Sequence, residues 1–156
     1  MAIALAEGDK APSFSLDCDG GRKVSLKDFS GKPIVLYFYP KDDTQGCTKE
    51  AIDFTVTAPA LKKLGASVIG VSKDSVASHD KFKKKHKLSV ILASDPEGKV
   101  LESYGAWVEK SMYGRTYMGI ERSTFLIDGK GRLAKIWRKV RVPGHVEEVL
   151  AAAKEL

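Results

Sequence analysis

Residues 33–39, PIVLYFY, form an apolar run without a break. The run is too short for a typical helix and rich in β-branched and aromatic side chains, so it reads as a strand. A strand with no polar alternation is buried on both faces, which places this one at the centre of a covered sheet. Residues 66–72 (ASVIGVS) and 123–128 (STFLID) read the same way. Asp128-Gly129-Lys130-Gly131 is a turn, and LAKIWR follows it as the second strand of a hairpin. Near the N-terminus, SFSLDCDGGRKVSL makes a shorter hairpin turning at Asp19-Gly20-Gly21.

Helical segments alternate with these strands. Residues 48–64 contain no Gly and one proline, Pro59, which is expected to kink or divide the helix. Asp74 and Ser75 are candidate N-caps for a helix running to about Lys87. After Pro143-Gly144, residues Val146, Val149, Leu150 and Ala153 fall at i, i+3, i+4 and i+7, the stripe of an amphipathic terminal helix. This order describes an α/β fold with a mixed central sheet, an N-terminal hairpin extension and flanking helices. Its topology resembles the thioredoxin-like arrangement. At 156 residues the chain is expected to be one domain spanning 1–156.

Composition narrows the chemistry. Only two cysteines occur, Cys18 and Cys47, which excludes a disulfide framework, zinc-finger spacing and a C-x-x-C dithiol. His79, His86 and His145 are scattered without metal-ligand spacing, so no metal or other cofactor is expected. The short apolar run at residues 2–6 lacks a positive flank and is cut by Glu7 and Asp9, and no stretch approaches membrane-helix length, so a cytoplasmic location is expected. The formal charge is +6, concentrated in KFKKKHK and RKVR. Without interleaved aromatics, these segments read as solvated faces rather than a nucleic-acid site.

One cysteine sits where chemistry would put it. The central strand ends at Tyr39, Pro40 terminates it, residues 41–45 turn, and Cys47 opens the next helix. There it faces unpaired N–H groups and the positive end of the helix dipole, which favour thiolate over thiol. Thr44 lies three residues upstream, where its hydroxyl could donate and accept beside the sulfur, and Pro40 could shield it from water. Asp42 and Asp43 read as turn-supporting residues rather than a paired carboxylate.

The stretch Pro40…Thr44-Gln45-Gly46-Cys47 matches the P-x-x-x-T-x-x-C signature of peroxiredoxins. FYPKDDTQGCTKE resembles the bacterioferritin comigratory, or Q-type, class, and the similarity extends through GDKAPSFSL, SDPEGKV, GIERSTFLID and WRKVRVPGHVEEVL. The resemblance implies that Cys47 is the peroxidatic cysteine, attacking the peroxide O–O bond and becoming a sulfenic acid. It implies that Thr44 contacts peroxide and thiolate, that Pro40 shields the pocket, and that Arg122 holds the sulfur and a peroxide oxygen. Read without the family, Arg122 is a strand residue in an ion pair with Glu121 or Glu50. The implied substrates are hydrogen peroxide and small organic hydroperoxides. The implied reductant is thioredoxin, glutaredoxin or a small thiol, and a monomer is expected.

The pattern then breaks. Two-cysteine members of the class carry a resolving cysteine five residues after the peroxidatic one, where this chain has Ile52, or in the following helix, where it has none. Five helical residues rise about 7.5 Å and turn about 140° around the axis, so such cysteines meet only if the helix unwinds. Ile52 is expected instead to pack the helix down. Cys18 matches no resolving position, and Asp17 and Asp19 should raise its pKa. A one-cysteine cycle resolved by an external thiol is therefore expected. The alternatives are a Cys18-resolved cycle, and a peroxide sensor or redox-controlled binding protein.

Overall fold

A computed structural model describes residues 4–156, so the beginning of the apolar run at 2–6 lies outside the described residues. The chain forms β1 (Ser15–Cys18), β2 (Arg22–Ser25), β3 (Ile34–Phe38), α1 (Gln45–Lys63), β4 (Ser67–Ser72), α2 (Val76–His86) and β5 (Ile91–Ser94). It continues through α3 (Lys99–Ser103), β6 (Trp107–Met112), β7 (Arg115–Ile120), β8 (Ser123–Ile127), β9 (Leu133–Trp137) and α4 (His145–Lys154). One sheet has the order β2-β1-β5-β4-β3-β8-β9. The strands β3, β4 and β5 run parallel, while β8, β9 and the N-terminal hairpin pair antiparallel, giving the expected mixed sheet.

The apolar run takes its expected place. Every residue of β3 is buried. Strand alternation sends Ile34, Leu36 and Phe38 into one core with Phe14, Cys18, Tyr104 and Phe125. Val35, Tyr37 and Tyr39 enter a second core on the opposite face, with Cys47, Ala51 and Phe54 of α1, Phe82 of α2, and Val146 and Val149 of α4. The sheet thus separates the two cysteines.

Several boundaries differ from the sequence reading. Helix α1 begins at Gln45, two residues before Cys47, and runs through Pro59 without dividing. Strand β5 and the separate β6–β7 hairpin are additional elements. The terminal helix and the Ser75 cap agree, the latter with Ser75 Oγ accepting from Ser78 N at 3.1 Å. Among the described residues no helix is long and apolar enough to cross a membrane.

Candidate active site

Thr44 is the N-cap of α1 and Cys47 its third residue. From there the buried positions Cys47, Glu50, Ala51 and Phe54 follow helical spacing, one stripe facing the sheet. The same periodicity that seats Cys47 therefore places the carboxyl of Glu50 one turn below it. Arg122 comes from the short link between β7 and β8, its carbonyl accepting from Val140 N at 2.9 Å. Its guanidinium forks: one nitrogen donates to Cys47 Sγ at 3.4 Å, the other to Glu50 Oε1 at 2.6 Å. Gly46 makes room for this approach, because a Cβ there would lie 3.2 Å from Arg122 Nη2. Arg122 thus combines the family-implied contact with the Glu50 ion pair.

Burial governs the charges. Glu50 is wholly inaccessible, and desolvation pushes its pKa up to about 7 against the opposing pull of Arg122. Burial also disfavours the guanidinium, but Glu50 and Cys47 outweigh that and raise its pKa. Tyr37, stacked on Phe54 at 4.7 Å, is pushed well above the tyrosine range by burial and then by Glu50 and Cys47.

Between pH 4.5 and about 7 the folded chain holds a Glu50 proton that the unfolded chain has released. The resulting stabilisation is complete below the unfolded value and is lost as pH rises through 7. Its full size is about 3 kcal/mol. Glu50→Gln should flatten that slope, so the stability difference between variant and wild type should change between about pH 5 and pH 8 in urea titrations. A constant difference would contradict the assignment.

Thr44 and Pro40 are placed differently from Arg122. The Thr44 hydroxyl donates to Lys41 O at 2.9 Å, and among the described residues it makes no hydrogen bond to Cys47. Pro40 is exposed after the end of β3. Ile52 is 37% exposed and does not pack the helix down. The cause is the rotation of about 140° per five residues, which carries Ile52 off the stripe that buries Cys47; Ala51 and Phe54 seat the helix instead.

Cys18 closes β1, 2% exposed, its pKa raised by burial first and then by Asp19. Asp42 and Asp43, read as turn supports, reach across to α2: Asp42 to Ser78 and His79, Asp43 to Lys85 and His86. Asp42, Asp74 and His79 also bring ligand-type atoms within 4.8 Å of one another, a grouping the scattered histidines did not announce. Those atoms bond one another and neighbouring protein groups. A cavity of about 920 Å³ lies elsewhere, lined by Phe14, Leu26, Phe29 and Val100.

A thiol at the head of a helix, held by a guanidinium above a thioredoxin-like sheet, is the layout of a thiol-based enzyme. Residues 7–136 match the AhpC/TSA family, and the chain belongs to that family. More particularly it is a peroxiredoxin, similar to proteins named Peroxiredoxin Bcp. That of Bacillus subtilis is 52% identical, covering 99% of this chain and 98% of the relative. That of Escherichia coli is 40% identical, covering 97% of each. The solved PrxQ mutant of Xylella fastidiosa superposes with a TM-score of 0.93 at 39% identity, covering 99% of this chain and 98% of that one. Xanthomonas campestris Peroxiredoxin Q gives 0.88 at 44% identity, covering 91% and 90%.

Proposed function

We propose that the chain reduces hydrogen peroxide and small organic hydroperoxides through a one-cysteine cycle at Cys47. The observation that carries this reading is the Arg122 guanidinium shared between Cys47 Sγ at 3.4 Å and buried Glu50 at 2.6 Å. The Cys47 thiolate attacks the nearer peroxide oxygen, the O–O bond breaks, and sulfur becomes a sulfenic acid while hydroxide or alkoxide leaves and takes up a proton. Negative charge passes from sulfur to the departing oxygen. A fixed guanidinium stabilises it along that path without reorganising. Protonated Glu50 leaves more of the guanidinium's charge to the sulfur; ionised Glu50 competes for it. In this reading Thr44 offers its oxygen to the peroxide O–H, and Pro40 limits water at the mouth of the site. The alkyl peroxide reduction studied in the Xanthomonas campestris relative supports an organic hydroperoxide as substrate.

The sulfenic acid then condenses with an external thiol, releasing water and forming a mixed disulfide. A second thiolate breaks that disulfide and returns Cys47 to the thiolate. The separation of the two cysteines by the sheet supports an external partner over Cys18. Thioredoxin, glutaredoxin or a small thiol would serve, within a cytoplasmic setting.

Stoichiometric oxidation and donor-coupled turnover test this together. Wild type and Cys18→Ser should consume peroxide equally, and Cys47→Ser not at all. After one equivalent of peroxide, mass spectrometry should find one added oxygen on Cys47. Turnover by Cys47→Ser would remove the whole reading. A loss of two hydrogens linking Cys18 to Cys47 would replace the one-cysteine cycle with an internal one. Oxidation of Cys47 that no thiol donor reverses would favour a sensor.

A further inference from the structure

The loop between β3 and α1 is exposed at Pro40, Lys41, Asp43 and Thr44, yet Asp42 in its middle is buried. Nearly every polar atom of Asp42 is engaged. Its N–H donates to Asp74 Oδ2 at 2.8 Å, its Oδ1 accepts from Tyr39 OH at 2.5 Å, and its Oδ2 accepts from Ser78 Oγ at 2.8 Å. Oδ2 also lies 2.7 Å from Nδ1 of His79. His79 is wholly buried on α2, with Nε2 2.9 Å from the Ala93 carbonyl.

A carbonyl oxygen only accepts, so Nε2 carries a hydrogen. Nδ1 and Asp42 Oδ2 then need one further proton between them, on whichever atom it resides. The result is a short, desolvated bond that strongly orients both partners. A buried histidine so constrained is more than core filler. It braces a loop that is otherwise in solvent.

What the brace holds is the turn bearing Thr44. Asp42 follows Lys41, whose carbonyl receives the Thr44 hydroxyl hydrogen at 2.9 Å. With that hydrogen committed inward, the Thr44 oxygen remains an acceptor at the N-terminus of α1. We infer that His79 is a positioning residue for the reaction at Cys47, acting through Asp42 to fix the Lys41–Thr44 turn and so the acceptor that receives the peroxide O–H. This rests on the Cys47 and Thr44 assignments proposed above. Asp43 ties the outside of the same loop to α2, through Lys85 at 2.7 Å and His86 at 2.8 Å.

Two polar substitutions separate the contacts of the ring's two nitrogens, Nδ1 with Asp42 and, at 3.4 Å, Tyr39 OH, and Nε2 with Ala93. In His79→Asn the amide reaches the position of Nδ1 and keeps the donor to Asp42. In His79→Gln it reaches that of Nε2 and keeps only Ala93. Two rates are read in each: Cys47 oxidation by hydrogen peroxide, and Cys47 alkylation by iodoacetamide, which needs the sulfur but not Thr44. His79→Gln should slow oxidation by about 30-fold with alkylation little changed, because small misplacements of a reacting group are costly. His79→Asn should stay within about threefold of wild type. In a Thr44→Val background the His79→Gln loss should vanish, as expected for residues acting in series.

Equal oxidation rates in the Asn and Gln variants, or oxidation and alkylation falling together, would overturn the inference. So would an undiminished His79→Gln effect in Thr44→Val. Half-buried Ser78→Ala removes one bond to Asp42 and covers the case in which a His79 variant fails to fold. It should slow oxidation about threefold, and no slowing there would count against the inference. If Cys47→Ser itself still reduces peroxide, the underlying assignment fails. If Cys47→Ser is dead and the His79 variants match wild type, only the positioning role fails.

Discussion

Arg122→Ala should slow the oxidation of Cys47 by hydrogen peroxide about 100- to 1,000-fold, the loss that follows removal of a preorganised donor at developing charge. The side chain forks between Cys47 Sγ at 3.4 Å and Glu50 Oε1 at 2.6 Å, so the variant also strands a wholly buried carboxyl. That carboxyl can escape by taking up a proton, which its pKa of about 7 already makes easy. The stability penalty should therefore be small near pH 5 and grow towards pH 8, reaching a few kcal/mol. Arg122→Lys carries the charge but not the planar fork, and cannot meet sulfur and carboxyl together. It should recover only part of the rate. Rapid-quench trapping of the sulfenic acid measures both variants. An Arg122→Ala rate within about threefold of wild type would detach this residue from the chemistry.

Gly70→Ala should destabilise the fold by about 3 kcal/mol. Gly70 lies on β4 directly opposite Tyr37 in the parallel pair with β3. The Tyr37 ring lies over it so closely that an added Cβ would sit 2.6 Å from Cζ and 2.7 Å from the hydroxyl oxygen. The ring cannot swing away, because it is 1% exposed and stacked on Phe54 of α1. Since Phe54 shares the α1 stripe with Cys47 and Glu50, a displaced Tyr37 would lift the helix that carries the site. Urea unfolding should show a lower midpoint with an unchanged slope. An unshifted midpoint would mean that this part of the core yields more readily than its packing implies.

Much of this was legible in the sequence because the relevant patterns are local. The apolar run at 33–39, the turn after it and Cys47 at the head of α1 all follow from adjacent residues. Contacts between distant segments were less accessible. Asp42 and His79 are 37 positions apart, and neither has a periodicity that announces the other. The β6–β7 hairpin escaped because much of it is exposed on both faces, with Met112, Tyr113, Tyr117 and Met118 open to solvent, so no alternation marks it. Strand β5 is only four residues long, too short for a pattern to stand out. Ile52 was misread because its apolar character was weighed without its angular position on the helix.

In the proposed one-cysteine cycle, the sheet between Cys18 and Cys47 gives the oxidised enzyme a clock set from outside. With Cys18 on the far side of the sheet, a sulfenic acid at Cys47 has in that cycle two competing exits: capture by an arriving thiol, or attack on a second peroxide that carries it to the sulfinic acid. Their branching ratio depends on the two solute concentrations and the two rate constants. Inactivation per turnover should therefore rise with peroxide dose and fall with donor supply. The chain would then record the balance between oxidant and reductant around it as a slowly accumulating fraction of silenced molecules.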